Sequence, residues 1–255
     1  MPPAWKALLT TLALAFFMLL ASSAARADEL LINGGFETGT FAGWTIVARP
    51  GSFGNVFIDN NTTLPLSNRT TVGPASGSFF AVTDMTGPGT YSLLQTFVVS
   101  GAQSQVILSF NLFTNNSAGQ IVVNPGGIDH NLFPNQHIRV DILSAAATPF
   151  DTGAGVLANF ILGGNTTNGP NPYVSFSFDI TALVGAGGSG TFQLRFAEVD
   201  NIGFFNMGVD NVSINATPAH HPVPEPVTLL LLGTGLTGVA TAARKRRKAR
   251  KGEEM

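Results

Sequence analysis

The chain has 255 residues, no cysteine and a formal net charge of −2 at pH 7. That near-neutrality hides an asymmetry: residues 28–222 carry four Arg, no Lys and twelve acidic side chains, while seven of the 13 basic residues crowd into 244–251. A body this acidic argues against a nucleic-acid partner, and the missing thiols exclude disulfides, Cys nucleophiles, Fe–S clusters and Cys-ligated zinc.

Lys6 gives a thin positive start, Ala7 to Ala21 is an apolar run, and Ala25-Arg26-Ala27 supplies a small-x-small cleavage site. This order predicts a signal-peptide helix over 1–27, cut between Ala27 and Asp28. Residues 28–215 have the length of one all-β domain and can bury a sizeable core. Alternation dominates them, and no sustained helical period is present. Val106, Leu108, Phe110 and Leu112 alternate with Ile107, Ser109, Asn111 and Phe113; Val174, Phe176, Phe178 and Ile180 alternate with Ser175, Ser177 and Asp179; Phe192, Leu194 and Phe196 alternate with Gln193, Arg195 and Ala197. Each reads as a strand with one buried face. Further strands are predicted at Ile46–Ala48, Val56–Ile58, Phe79–Thr83, Leu93–Val99, His137–Leu143, Val156–Leu162 and Val209–Ile214. Clusters such as Gly73-Pro74, Gly87-Pro88-Gly89 and Asn124-Pro125-Gly126-Gly127 separate them as turns. Short strands at this spacing predict a single jelly-roll-like β-sandwich.

Three stretches carry a resemblance. Leu31-Ile32-Asn33-Gly34-Gly35-Phe36-Glu37 followed by Gly43-Trp44 looks like the first strand of galactose-binding-like jelly rolls of the carbohydrate-binding-module type. Tyr91–Phe97 is similar to their L-x-Q-x-F strand, and Gly208–Ile214 resembles their closing strand. The resemblance implies first and last strands lying close together and often holding a structural calcium ion, with Glu37 and Asp210 as its carboxylates and carbonyls near Asn33 completing the shell. Calcium takes six to eight hard oxygens, which two carboxylates begin to provide. The alternative is that both acids only satisfy backbone amides. Apart from this ion no cofactor is expected.

Trp44 and Phe36 are expected in the core, as aromatics usually are. Tyr91, Phe133 and Tyr173 border turn-rich stretches and are candidates for a ligand-binding surface, as is the long segment Thr114–Gln136. Signals for catalysis are poor. Gly-x-Ser-x-Gly is absent. Gly185, Gly187 and Gly190 precede a strand instead of a helix and so form a turn. His130 and His137 lack zinc spacing, and Asp129 with His130 reads as solvated loop. Glu198 and Asp200 could be paired carboxylates of a glycosidase, but acids at the end of a strand are ordinary.

Residues 216–226 form a linker ending in Pro224-Glu225-Pro226. Val227 to Ala243 is then a run of 17 uncharged residues. As a helix it spans roughly 25 Å, the short end of what crosses a bilayer. Arg244, Lys245, Arg246, Arg247, Lys248, Arg250 and Lys251 follow within the basic tail 244–255, which puts the C-terminus in the cytoplasm and the body outside. Pro-Glu-Pro, apolar span and basic cluster, in that order, closely resemble the PEP-CTERM sorting signal of bacterial surface proteins. That resemblance implies cleavage near Pro224–Pro226 by an exosortase and release from a transient membrane anchor, often among exopolysaccharide. The expected function is a non-catalytic structural or adhesive role in the envelope or exopolysaccharide, with recognition of a specific glycan as the alternative. The expected location is an inner-membrane single-pass intermediate, then the cell surface or extracellular matrix.

Overall fold

The computed structural model describes residues 26–185 and 189–219. The predicted leader helix, Pro-Glu-Pro motif, membrane helix and basic tail lie outside the described residues. Within them no helix is long and apolar enough to cross a membrane.

All ten predicted strands form, most of them longer than alternation alone suggests, and a two-residue strand precedes them. In chain order they are β1 (Asp28–Glu29), β2 (Thr45–Ala48), β3 (Gly54–Asp59), β4 (Phe80–Met85), β5 (Gly89–Val99), β6 (Gln103–Asn116), β7 (His137–Ser144), β8 (Val156–Gly163), β9 (Val174–Asp179), β10 (Gly190–Asp200) and β11 (Phe205–Pro218). Two sheets result. The first runs β3-β4-β11-β6-β9 with β1 also on β11, the second β2-β5-β10-β7-β8. Neighbouring strands are antiparallel, as a sandwich requires.

The predicted alternation sets the core. Val106, Leu108 and Phe110 from the first sheet and Leu93, Phe97, Val140, Leu194 and Phe196 from the second are each 2% exposed or less. Phe110 meets Phe196 edge to face at 5.2 Å, a contact between the two layers. Trp44 and Phe36 belong to this core, with ring centroids 5.4 Å apart.

The likeness of Leu31–Glu37 to a first strand does not survive in the structure. That stretch is a series of turns; the first strand lies just before it, with Asp28 opposite Ala216 and Glu29 opposite Asn215. Asn33 and Phe36 both take positive φ, which a strand cannot accommodate. The turn is strapped to the register shift between Asp210 and Ser213 in β11, where Val212 N donates to Gly34 O at 3.0 Å. A Cβ on Gly34 would lie 1.8 Å from Val212 O, so only glycine permits this backbone contact.

Outer faces depart from simple alternation too. Arg195, Ala197 and Val199 of β10 are as buried as the inward residues. Loops cover them: Ile128 and Phe150 pack with Ala197 and Val199 on the second sheet. Leu64, Val72 and Tyr173 cover Phe80, Val82 and Phe113 on the first.

Candidate functional site

Glu37 and Asp210, the expected calcium ligands, both turn their oxygens onto one loop. Glu37 accepts from Ser78 N and Phe79 N, with Ser78 shared between both of its oxygens at 3.0 Å. Asp210 accepts from Ala75 N at 2.8 Å, Ser76 N at 3.1 Å and Asn211 N at 2.6 Å. Burial raises the Asp210 carboxyl above its ordinary range while these amides pull it down. Asn33 O is taken by Phe36 N and by the Trp44 indole. Amide donors thus surround the oxygens that a cation would need. The pair clamps 75–79 against the end of β11.

The three aromatic candidates part company. Tyr91 is fully buried and offers no face to a ligand, because it shares strand parity with Leu93 and Phe97 and points between the sheets. Tyr173 is half-buried, stands edge-on to Phe113 at 4.9 Å, and its hydroxyl donates to Gly73 O at 3.0 Å; it holds loops together. Phe133 alone is open to solvent, at 73%. Nothing brings the three to one place. His130 is buried, not solvated: its ring Nδ1 lies 3.2 Å from the Thr90 hydroxyl. Its neighbour Asp129 pairs with Arg49 at 3.1 Å. Among the described residues no cluster of three or more His, Asp or Glu could hold a metal.

Glu198 and Asp200 are not the ordinary strand-end acids that the sequence suggests. They are 0% and 3% exposed. Glu198 has the parity of Leu194 and Phe196, so it points inward and crosses the sandwich to the Thr83 hydroxyl of the opposite sheet. Tyr91 faces it in register from β5. The Tyr91 hydroxyl and Glu198 Oε1 are both buried without a partner among the described residues. Burial, reinforced by the neighbouring Asp200 charge, pushes Glu198 well above the carboxylate range, and burial pushes Asp200 up to about 8. Asp200 therefore keeps its proton near neutral pH, and burial favours the protonated form of Glu198. Gly89 makes the arrangement possible: its amide donates to Asp200 Oδ1 at 3.0 Å, and a Cβ there would lie 2.0 Å from the Tyr91 oxygen.

Asp200 also reaches the surface side of this cluster, where it lines an open cavity of about 490 Å³ at one end of the sandwich. Three loops build the walls: 66–69 from the β3–β4 connection, 86–88 between β4 and β5, and 201–204 between β10 and β11. Each is pinned: Thr86 N donates to Phe53 O at 2.9 Å and Phe53 N to Pro88 O at 3.0 Å. Asp84 accepts Leu66 N at 2.7 Å and Ser67 N at 2.9 Å. Gln136 accepts Ile202 N and Gly203 N, while the Asn201 amide donates to His130 O at 2.7 Å. Arg69 lies 4.1 Å over the Phe204 ring, a cation–π contact that orients its guanidinium at the mouth. The lining thus combines one guanidinium oriented by the Phe204 ring beneath it, the hydroxyls of Ser67 and Thr86, and Asp200, with Asn201 holding the loop in place. The volume suits a small ligand or a few sugar units.

The opposite, outer face of the second sheet is sealed by charge. Asp141 is fully buried between two arginines, Arg195 on β10 and Arg139 on β7, and the latter sits 2.8 Å away. Arg195 also donates to Pro149 O at 3.0 Å and Asp151 O at 2.8 Å, fastening the β7–β8 loop over the sheet. Alternation predicted Arg195 as a solvent-facing partner of the core residues; the loop that buries it comes from a distant part of the chain.

Compared with protein-family models, residues 222–247 match the PEP-CTERM protein-sorting motif. The C-terminal segment is a PEP-CTERM signal. It marks the chain for export and for processing at the membrane, and leaves the sandwich unassigned. No curated protein matches the chain. Solved structures with a similar sandwich include TmCBM61 in complex with β-1,4-galactotriose, 13% identical, TM-score 0.46, covering 73% of this chain and 97% of that one. A second is the Stig cyclase Fisc from Fischerella sp. TAU, 17% identical, TM-score 0.44, covering 76% and 100%. A third is the family 11 carbohydrate-binding module of the Clostridium thermocellum cellulase Lic26A-Cel5E, 13% identical, TM-score 0.39, covering 78% and 99%. These are distant likenesses of architecture, and any function has to be argued from this chain's own residues.

Proposed function

We propose that this chain is an exported, non-catalytic adhesive protein whose sandwich holds a neutral, hydroxyl-rich polysaccharide of the envelope or extracellular matrix. An exosortase-type enzyme is its processing partner, acting near Pro224–Pro226 and releasing the body from its transient anchor. The first strand begins at Asp28, so cleavage after Ala27 would leave β1 intact.

The observation that carries the glycan reading is the cavity at Arg69 and Phe204. The Arg69 guanidinium, held over the Phe204 ring, donates to paired sugar hydroxyls, and the Ser67 and Thr86 hydroxyls read the rest. The acid at its base is protonated, so it donates to a sugar hydroxyl without attracting cations. The net negative charge of the body disfavours anionic polymers. Hydrolysis is disfavoured by position: Glu198 is sealed inside the core and cannot approach a glycosidic oxygen.

Arrays of neutral and acidic glycans probed with the exported protein test this. Saturable binding to a neutral class, weakened at least about tenfold by Arg69→Ala and by Phe204→Ala, is the expected result. Equal binding by wild type and both variants, or release of reducing ends from the bound polymer, would overturn it.

A further inference from the structure

The free edge of β9 differs from the other exposed edges of the sandwich. Natural sheets protect edges with short strands, bulges, glycine, proline or inward charges. Here β2 has four residues, β8 is broken by two register shifts against β7, and β3 opens on Gly54 and Asn55, both poor strand formers. By contrast β9, Val-Ser-Phe-Ser-Phe-Asp, pairs with β6 in unbroken register and has no Pro, Gly or Lys. Its apolar side is incompletely covered: Val174 is 53% exposed, and Phe176 and Phe178 are half-buried.

The backbone polarity follows from one bond. Ile180 N donates to Val106 O on β6, so residues of that parity face β6, and Ser175, Ser177 and Asp179 turn their N–H and C=O groups outward. Inside this edge lies an open groove of about 410 Å³ lined in part by Ile161, Val174 and Phe176.

We propose that β9 pairs antiparallel with β9 of a second copy of this chain, about a two-fold axis at Phe176. In that register Ser175 exchanges both backbone bonds with Ser177 of the second copy, and the two Phe176 rings face each other. Phe178 of the second copy then sits beside Val174, over the groove. Asp179 of each copy lies beyond opposite ends of the paired stretch, so like charges stay apart. The first sheets of two copies become one continuous sheet. The sequence of β9 is thus complementary to itself, which is what an isologous interface needs.

Sedimentation velocity of the exported protein over about 1–100 µM tests the pairing. Two variants separate association from folding. Ser177→Pro removes an outward N–H that makes no bond within the protein, a place where an edge strand tolerates proline. Val174→Lys puts an ammonium on the inward side of an exposed position. Both are expected to weaken the dimer at least about tenfold with little change in Tm. A wild-type monomer throughout that range, or a dimer that survives both substitutions, would overturn the proposal. Neither outcome bears on the cavity, whose walls come from other loops.

Discussion

Two buried acids make the stability of the sandwich fall as pH rises through neutrality. Asp200 titrates near its ordinary 3.8 in the unfolded chain and at about 8 in the fold, so between those values the native state keeps a proton that the unfolded state has released. A folded pKa raised this way is a stability cost that grows with pH, at about 1.4 kcal/mol per pH unit per group until the folded value is passed. Glu198, raised by the same burial, acts in the same direction. His137 opposes them at lower pH: burial holds it down to about 4, so the fold gains stability as pH rises to the ordinary value of 6.5 and nothing beyond it. Above 6.5 the carboxyls are uncompensated. Between pH 6.5 and 8 Asp200 should remove about 2 kcal/mol, with Glu198 adding in the same direction, and at about 2–4 °C per kcal/mol for a domain of this size Asp200 alone should lower Tm by roughly 4–8 °C. Asp200→Asn keeps the acceptor for Gly89 N and removes that group's titration, so the slope above pH 6.5 should become clearly shallower. Differential scanning calorimetry of both proteins across pH 5–9 measures it (buffers spanning neutrality). A wild-type Tm that is flat or rising above pH 6.5, or a slope unchanged in Asp200→Asn, would refute the assignment of these buried protons.

Other outcomes follow from the same contacts. Asp141→Ala leaves two buried arginines without their shared carboxylate and should cost about 3–5 kcal/mol in urea denaturation, more than removal of the half-exposed Asp129. Gly34→Ala drives a methyl into Val212 O and should lower Tm by several degrees, while alanine at the open Gly101 turn costs only its positive φ. Because the oxygens of Glu37 and Asp210 already accept amides, EDTA should leave Tm unchanged; a drop of more than about 5 °C would place calcium on that pair. Phe110→Ala empties the contact between layers and should cost about 3–5 kcal/mol, read as a lower urea midpoint with an unchanged m-value.

The strands were legible because a period of two survives in short windows, and the turns because Gly, Pro and Asn mark them. What the sequence concealed was everything that depends on a second segment. Arg195 looked solvent-facing because nothing near it in the chain announces that 149–151 will fold over β10. Glu198 and Tyr91 looked like rim residues beside turns, yet each keeps the parity of its inward neighbours, Leu194 with Phe196 and Leu93 with Phe97. That parity was the available signal. The opening Asn33–Phe36 motif was located well but given the wrong shape, since its glycine is required by a backbone contact with β11, some 180 residues downstream. The cavity has no local signature at all: its three walls come from 66–69, 86–88 and 201–204, each an ordinary loop when read alone.

The central claim is that the cavity at Arg69 and Phe204 holds a neutral glycan. Hydrogen–deuterium exchange of the exported protein, with and without the neutral polysaccharide of its host, tests it most directly. Protection confined to 66–69, 86–88 and 200–204 is the predicted result. Protection elsewhere on the sandwich, or none at saturating polysaccharide, would contradict it.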